Sequence, residues 1–294
     1  MPESIPQTCC LVWGPHRRIF GFSPVRLPLH VVLGVIIPVF NEAALVEGAI
    51  ARVLATPLPG APSTARTITQ RRLLVVDDGS TDGTWDVLRT LQLREDLKPV
   101  LRVVSHPVNR GKGAAVRSGL QAALAEGCDL MLIHDADFEY DPADHARLLA
   151  PILDGRADAV IGTRFGGEAH RVLYFWHYLA NKFITLISNA ATNLNLSDIE
   201  CCLKAFTRDI AAQLHLREDR FGIEPELVAK IARCRVRPAA AAAGIPTAPA
   251  DIPARIFEVA VTYAGRTYAE GKKIRWHDGI DALRCILQYG WRKG

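Results

Sequence analysis

Two carboxylates two residues apart close an apolar run in this chain: Leu130-Met131-Leu132-Ile133 leads into His134-Asp135-Ala136-Asp137. A run of that length reads as a buried strand, and residues i and i+2 of a strand project to one side. Asp135 and Asp137 so placed can share a hard divalent cation, because Mg²⁺ is usually held by one or two carboxylates while substrate phosphates complete its shell. An isolated Asp-x-Asp is more often a solvated strand end, so the weight comes from its neighbours. Asp77-Asp78-Gly79-Ser80 closes a second apolar run, Leu73 to Val76; the pair can cap the next helix or hydrogen-bond a base or ribose. Asn109-Arg110-Gly111-Lys112-Gly113 offers close backbone approach, a lysine as phosphate counter-charge and a following helix N-terminus. It lacks the Walker pattern, which argues against ATP hydrolysis.

The elements that must position these clusters follow from periodicity. Strands are expected at Leu33 to Pro38, Leu73 to Val76, Val100 to Val104, Leu130 to Ile133 and Ala157 to Ile161. Helices are expected between them, the first with Val46, Ile50, Val53 and Leu54 inward, the last from about Pro142 to Leu153. Pro57 to Thr69 reads as a surface loop, and Val172 to Ala191 as an apolar segment whose default place is a core helix and whose embedded His177, Asn181 and Lys182 equally suit a phosphate pocket just after Arg164. Alternating strands and helices imply an α/β fold with a mostly parallel central sheet flanked by helices. In such sheets ligands bind beyond the carboxyl ends of the strands, where every polar cluster above falls.

The chain has 294 residues, 49% hydrophobic and 22% charged, enough for one large α/β domain. A net charge of +4 is too mild for a nucleic-acid binder. Seven cysteines without a Cys-x-x-Cys argue against a disulfide framework or zinc site and for a reducing, cytoplasmic setting. No apolar run approaches the ~20 residues of a membrane span, and residues 1–31 read as an extension without a signal peptide.

Taken together, VIIPVFNE (35–42), VVDDGSTDGT (75–84), NRGKGAAVRSG (109–119), DAD (135–137) and GTR (162–164) resemble the family 2 glycosyltransferases, nucleotide-sugar enzymes on the Rossmann-like GT-A fold. The segments 181–206, 221–233 and 258–283 are similar to the polyprenol-phosphate group, which includes dolichol-phosphate mannose and glucose synthases. The resemblance covers about residues 33 to 290. It implies a nucleotide-sugar-binding half at 32–170, an acceptor-binding half at 171–265 with a flexible insertion at about 238–253, and a tail at 266–294. It also implies donor contacts from Pro38, Glu42, Asp77, Asp78, Lys112 and Asp135, with Mg²⁺ or Mn²⁺ on Asp135 and Asp137. Arg164 is implied to face the acceptor phosphate, and the Glu224/Glu226 segment, whose default role is capping, to lie near the sugar. Cys201-Cys202-Leu203 departs from the Thr-Cys-Tyr or Thr-Gly-Tyr of relatives.

The implied reaction is inverting transfer of a hexose from a GDP-mannose or UDP-glucose type donor to a polyprenyl or dolichyl monophosphate. That acceptor is already an anion, so no strong base is needed. Cationic groups are needed instead, with Arg164, Lys182 and Arg266 the candidates and His177 beside them; Asp137 and Arg164 are the expected catalytic pair. A hydroxyl acceptor, which would call for a carboxylate base, and a non-catalytic sugar-nucleotide-binding relative are the alternatives. In the tail, Trp276, Ile280, Leu283, Leu287 and Trp291 form one stripe if helical, with Lys272, Lys273, Arg275, Arg292 and Lys293 at the ends. Such a C-terminal amphipathic helix either packs on the domain or docks peripherally on the cytoplasmic face of a membrane, alone or through a membrane-protein partner.

Overall fold

The strand that everything else pairs against is β1, His30–Val39, in which Leu33 to Ile37 are all buried. Burial on both faces explains why this segment is continuously apolar rather than alternating. The computed structural model describes residues 27–61, 63–167, 171–172, 174–237, 251–266 and 276–291, without the side chains of 276–278. On one side β1 pairs in parallel with β3 (Arg66–Asp77), which carries the short antiparallel β2 (Gly60–Ala61) at its start and the parallel β4 (Leu101–Ser105) at its end. On the other side lies β5 (Leu130–Ile133), also parallel. Beyond it come β7 (Lys204–Thr207), β6 (Ala159–Thr163) and β10 (Ile256–Ala260), giving the order β10-β6-β7-β5-β1-β3.

Strand β7 runs antiparallel to both neighbours, with Lys204 opposite Ile133 and Ile161. The chain that enters β7, residues 198–203, therefore crosses the carboxyl ends of β5 and β6. That is a switch point of the kind where α/β sheets take their ligands.

Helices α1 (Val46–Ala55), α2 (Thr84–Leu93), α3 (Lys112–Ala125) and α4 (His145–Leu153) connect the first six strands, α4 being preceded by a 3₁₀ turn at Pro142–Asp144. Helix α3 lies so close to the sheet that a Cβ on Gly119 would stand 2.4 Å from Ile36 Cγ2. After β6 come α5 (Phe175–Thr192), α6 (Arg208–Ala211), α7 (Ile223–Ile231), the β8–β9 ladder (Arg235–Val236 with Ile252–Pro253) and α8 (Trp276–Cys285), prolonged by a π turn to Gly290. Among the described residues no helix is long and apolar enough to cross a membrane, and the five cysteines are unpaired and buried.

Several elements differ from the sequence expectation. Residues 66–69 belong to β3 rather than a loop, because Thr67 and Gln70 pair with the start of β1, which itself begins at His30. Short β7 and β10 carry no clear period and were not expected. Helix α5 is not a core helix: Phe175, Trp176, Leu179, Phe183 and Leu186 are exposed, while Ile184 and Ser188 are buried. The expected stripe of the tail does not set its packing. Ala282, Cys285, Ile286 and Tyr289 are buried, Leu283 is half-buried, and Ile280, Leu287 and Trp291 are exposed. Residues 1–26, most of the 238–253 segment, the Trp276 side chain and the flanking basic residues 272, 273, 275, 292 and 293 lie outside the described residues; Ile252–Pro253, at the end of that segment, are strand β9.

Candidate active site

A cavity of about 550 Å³ opens over the carboxyl ends of β1, β3, β5 and β6. It is lined by Pro38, Val39, Phe40, Glu42, Asp78 and Asn109, by Gly111, Lys112, Asp135 and Asp137, and by Arg164, Glu200, Cys202, Phe221 and Tyr263. Asp135 emerges from β5 and meets Lys112 Nζ at 2.9 Å. Lys112 also meets Glu224 Oε1 at 3.0 Å, and Glu224 reaches down to Lys204, which is fully buried at the start of β7. Burial alone would lower the Lys112 ammonium, but Asp135 and Glu224 hold it well above its usual range.

Asp137 has a different neighbourhood. Burial, then Asp135 and Glu139, push its carboxyl up to about 7, against the pull of Arg266. The Arg266 guanidinium lies 3.1 Å from Asp137 and 3.4 Å from Glu42, and its backbone N–H donates to Glu139. Directly after Asp137 the chain turns sharply through Phe138, at φ 59, a conformation side chains rarely adopt and one that collects at functional sites.

Asp78 is enclosed by protein donors: Asn109 Nδ2 at 2.9 Å, Arg110 N at 3.0 Å, Gly111 N at 2.6 Å and His106 Nδ1 at 2.6 Å. It holds the 109–111 loop in place, with Gly111 at φ 106 and no room for a Cβ, which would lie 2.4 Å from Asp219 O. Asp77 is buried, accepts from Ser80 N, and does not line the cavity. Arg164, next to β6, grips Asp198 through Nε at 2.7 Å and NH2 at 2.8 Å, and stacks over Tyr263. Lys182 donates to Ser197 O and lies over the Phe165 ring, while His177 packs edge-on against Tyr174, both outside the cavity lining.

The glycosyl transferase family 2 model matches residues 34–214. The chain belongs to that family. The undecaprenyl-phosphate 4-deoxy-4-formamido-L-arabinose transferase of Aeromonas hydrophila is 28% identical over 203 residues, 69% of this chain and 57% of that protein. The dodecaprenyl-phosphate galacturonate synthase of Rhizobium johnstonii is 29% identical over 243 residues, 82% of this chain and 61% of that protein. The chain thus spans less than two-thirds of the length of either. A dolichyl-phosphate N-acetylglucosaminyltransferase of Methanococcus voltae is 22% identical over 198 residues, 63% of this chain and 74% of that protein. Among solved structures, the glucosyl-3-phosphoglycerate synthase of Mycobacterium tuberculosis in complex with Mn²⁺, UDP and glucosyl-3-phosphoglycerate superposes with a TM-score of 0.56 at 18% identity, covering 90% of this chain and 82% of that one. That likeness shows the GT-A fold.

The site of this family 2 glycosyltransferase includes groups the sequence reading did not single out. Asp198 anchors Arg164, the Cys202 thiol lies beside Asp135, Lys204 underpins Glu224, and Glu200 lines the cavity. Their common signal is the alternation Asp198-x-Glu200-x-Cys202-x-Lys204 in an apolar stretch, which is legible only once that stretch is seen to cross the sheet's switch point. For a metal, the described residues hold no cluster of three or more His, Cys, Asp or Glu ligands. Asp135 and Asp137 are hard oxygen donors, and Asp137, crowded by like charge, already draws in the Arg266 cation. Such a pair fits Mg²⁺ or Mn²⁺ with phosphate completing the shell.

Proposed function

We propose that this chain transfers a hexose from a nucleotide-diphosphate sugar of the GDP-mannose or UDP-glucose type to a polyprenyl monophosphate, with inversion. The observation that carries the acceptor assignment is the apolar face of α5. This helix ties to the Arg164 end of the site through Asn181 on Asp198 and Lys182 on Ser197, yet leaves Phe175, Trp176, Leu179, Phe183 and Leu186 in solvent. An exposed apolar surface beside an anion-binding arginine matches a lipid phosphate better than a soluble acceptor. The names of the relatives from Aeromonas, Rhizobium and Methanococcus point the same way.

In this reading the nucleoside lies against Pro38, Phe40 and Asn109, in a loop framework that Asp78 holds from behind. Lys112 offsets diphosphate charge. Asp135 and Asp137 would hold Mg²⁺ or Mn²⁺, which supplies Lewis-acid stabilisation of the departing diphosphate. Arg164, fixed by Asp198, presents its guanidinium to the acceptor phosphate, lowering the repulsion between two anionic substrates. Arg266 and Lys182 add positive charge on either side. Ile280, Leu287 and Trp291 on α8, with the α5 face, would rest on the membrane's cytoplasmic surface.

The direct test is incubation with Mn²⁺, labelled UDP-glucose or GDP-mannose and a short polyprenyl phosphate. Label in the organic phase is expected; label only on a water-soluble acceptor sinks the assignment. Sedimentation with anionic vesicles tests the docking, and a chain that stays in the supernatant while transferring sugar to the short acceptor refutes it. A second reading, transfer to a hydroxyl, is favoured by one observation: Glu200 is a carboxyl group at the acceptor end, pushed up to about 7 by burial and Glu224, a range suited to a base.

A further inference from the structure

Around the cavity, the carboxylates are satisfied by protein donors. Asp78 accepts four hydrogen bonds, Asp135 pairs with Lys112, Asp137 with Arg266, Asp198 with Arg164, and Glu224 with Lys112 and Lys204. Glu200 differs. Its Oε1 is buried and hydrogen-bonded to nothing, although the residue lines the cavity. The cations nearest in charge, Lys204 and Arg164, are committed to Glu224 and Asp198. A buried carboxyl oxygen without a partner is costly and is retained where a ligand supplies the missing bond.

The position fixes what that ligand group is. On the sugar-transfer reading the base lies at Pro38 and Asn109 and the diphosphate at Lys112 and Asp135, which leaves the cavity wall between Asp135 and Arg164 for the sugar. Residues 198–203 form the floor there: Asp198 holds Arg164, Cys202 touches Asp135, and Glu200 lies between them in sequence. We propose that the Glu200 carboxyl hydrogen-bonds a hydroxyl of the transferred sugar and so selects the donor. The proposal rests on the sugar-transfer reading above and adds the residue that discriminates among sugars. Hydroxyl recognition by a buried polar group is also the form of selectivity with the widest range, because a sugar lacking that hydroxyl leaves the group unpaired.

The test is titration calorimetry with Mn²⁺ on wild type, Glu200→Gln and Glu200→Ala, using UDP, GDP, UDP-glucose and GDP-mannose as separate probes. Binding of UDP and GDP is expected to stay within twofold of wild type, which also reports that the variants are folded. Binding of the accepted nucleotide sugar is expected to weaken on the order of tenfold to a hundredfold in Glu200→Ala, and less in Glu200→Gln, which keeps one donor and one acceptor. Both variants are expected to melt no lower than wild type, since an unpaired buried carboxyl adds nothing to stability. Equal losses on nucleoside diphosphate and nucleotide sugar, or no loss on either, overturn the proposal. So does unchanged donor binding with turnover lost on a hydroxyl acceptor, which makes Glu200 a base. A wild-type chain that binds none of the four probes overturns the sugar-transfer reading itself, an outcome distinct from a failure confined to the variants.

Discussion

Removing Arg164 is expected to damage the fold as well as the proposed acceptor site, and the size of the damage follows from its partner. The Asp198 side chain is completely buried, and that of Arg164 is 10% exposed. Arg164→Ala deletes the Nε and NH2 bonds and leaves Asp198 with three donors: the backbone N–H groups of residue 164 at 3.2 Å and Glu200 at 3.1 Å, and Asn181 Nδ2 at 3.3 Å. Breaking a buried ion pair from one side costs about 3–5 kcal/mol, and the surviving donors place this case near ~3. At roughly 2 °C per kcal/mol for a large domain, Tm falls by roughly 6 °C. The paired replacement Arg164→Met with Asp198→Leu removes the orphaned charge and should recover most of the loss. Thermal melts of the three proteins give the stability arm. Steady-state kinetics give the other, with acceptor KM rising far more than donor KM in both variants. Arg164→Ala melting within 2 °C of wild type, or the double variant melting lower still, refutes the energetic argument. Equal effects on donor and acceptor refute the placement of Arg164 at the phosphate.

Asp137→Ala is expected to abolish transfer and to remove the Mn²⁺ dependence of nucleotide-sugar binding in calorimetry, with a Tm close to wild type. Stability should also fall with acid through the His134–His145 pair, whose facing nitrogens are 3.2 Å apart. Burial pushes His134 down to about 4 and lowers His145 too, so the unfolded chain takes up protons first as pH drops below about 6.5. Stability is then lost between about pH 6.5 and 4, by about 3 kcal/mol for His134 alone; urea midpoints that stay level over that range in wild type contradict it. Gly119→Val should cost about 3 kcal/mol or more, because its first side-chain atom already overlaps Ile36, and a urea midpoint within error of wild type would remove the close-packing account of α3.

The segment from β1 to β6 was readable because its signals are local. β1, β5, β6 and the second half of β3 are contiguous apolar runs, and the polar clusters at 41–42, 77–80 and 135–137 sit directly after three of them, so position along the chain reports position in the site. The segment after β6 lacks that property. Strand β7 is only four residues, Lys204–Thr207, and opens on a lysine that reads as solvent-exposed until its antiparallel pairing buries it against Glu224. Asp198 acts on Arg164 and Asn181, Cys202 lies beside Asp135, and Glu200 Oε1 bonds to nothing, so no short-range spacing rule reaches them. Asp78 shows the converse limit. Its residue type fits a nucleoside contact, but four protein donors surround it. The α5 segment was legible as apolar with core and phosphate pocket both open, since composition reports an apolar segment and not what covers it.

Because β7 runs against its neighbours, the excursion from Thr163 through α5 to Lys204 leaves the sheet and rejoins it at one and the same edge. A detour that begins and ends at one edge can be lengthened or trimmed around α5 without shifting the register of any strand of the sheet. The exposed face of α5 can thereby vary in length and composition while β6 and β7 keep their pairing.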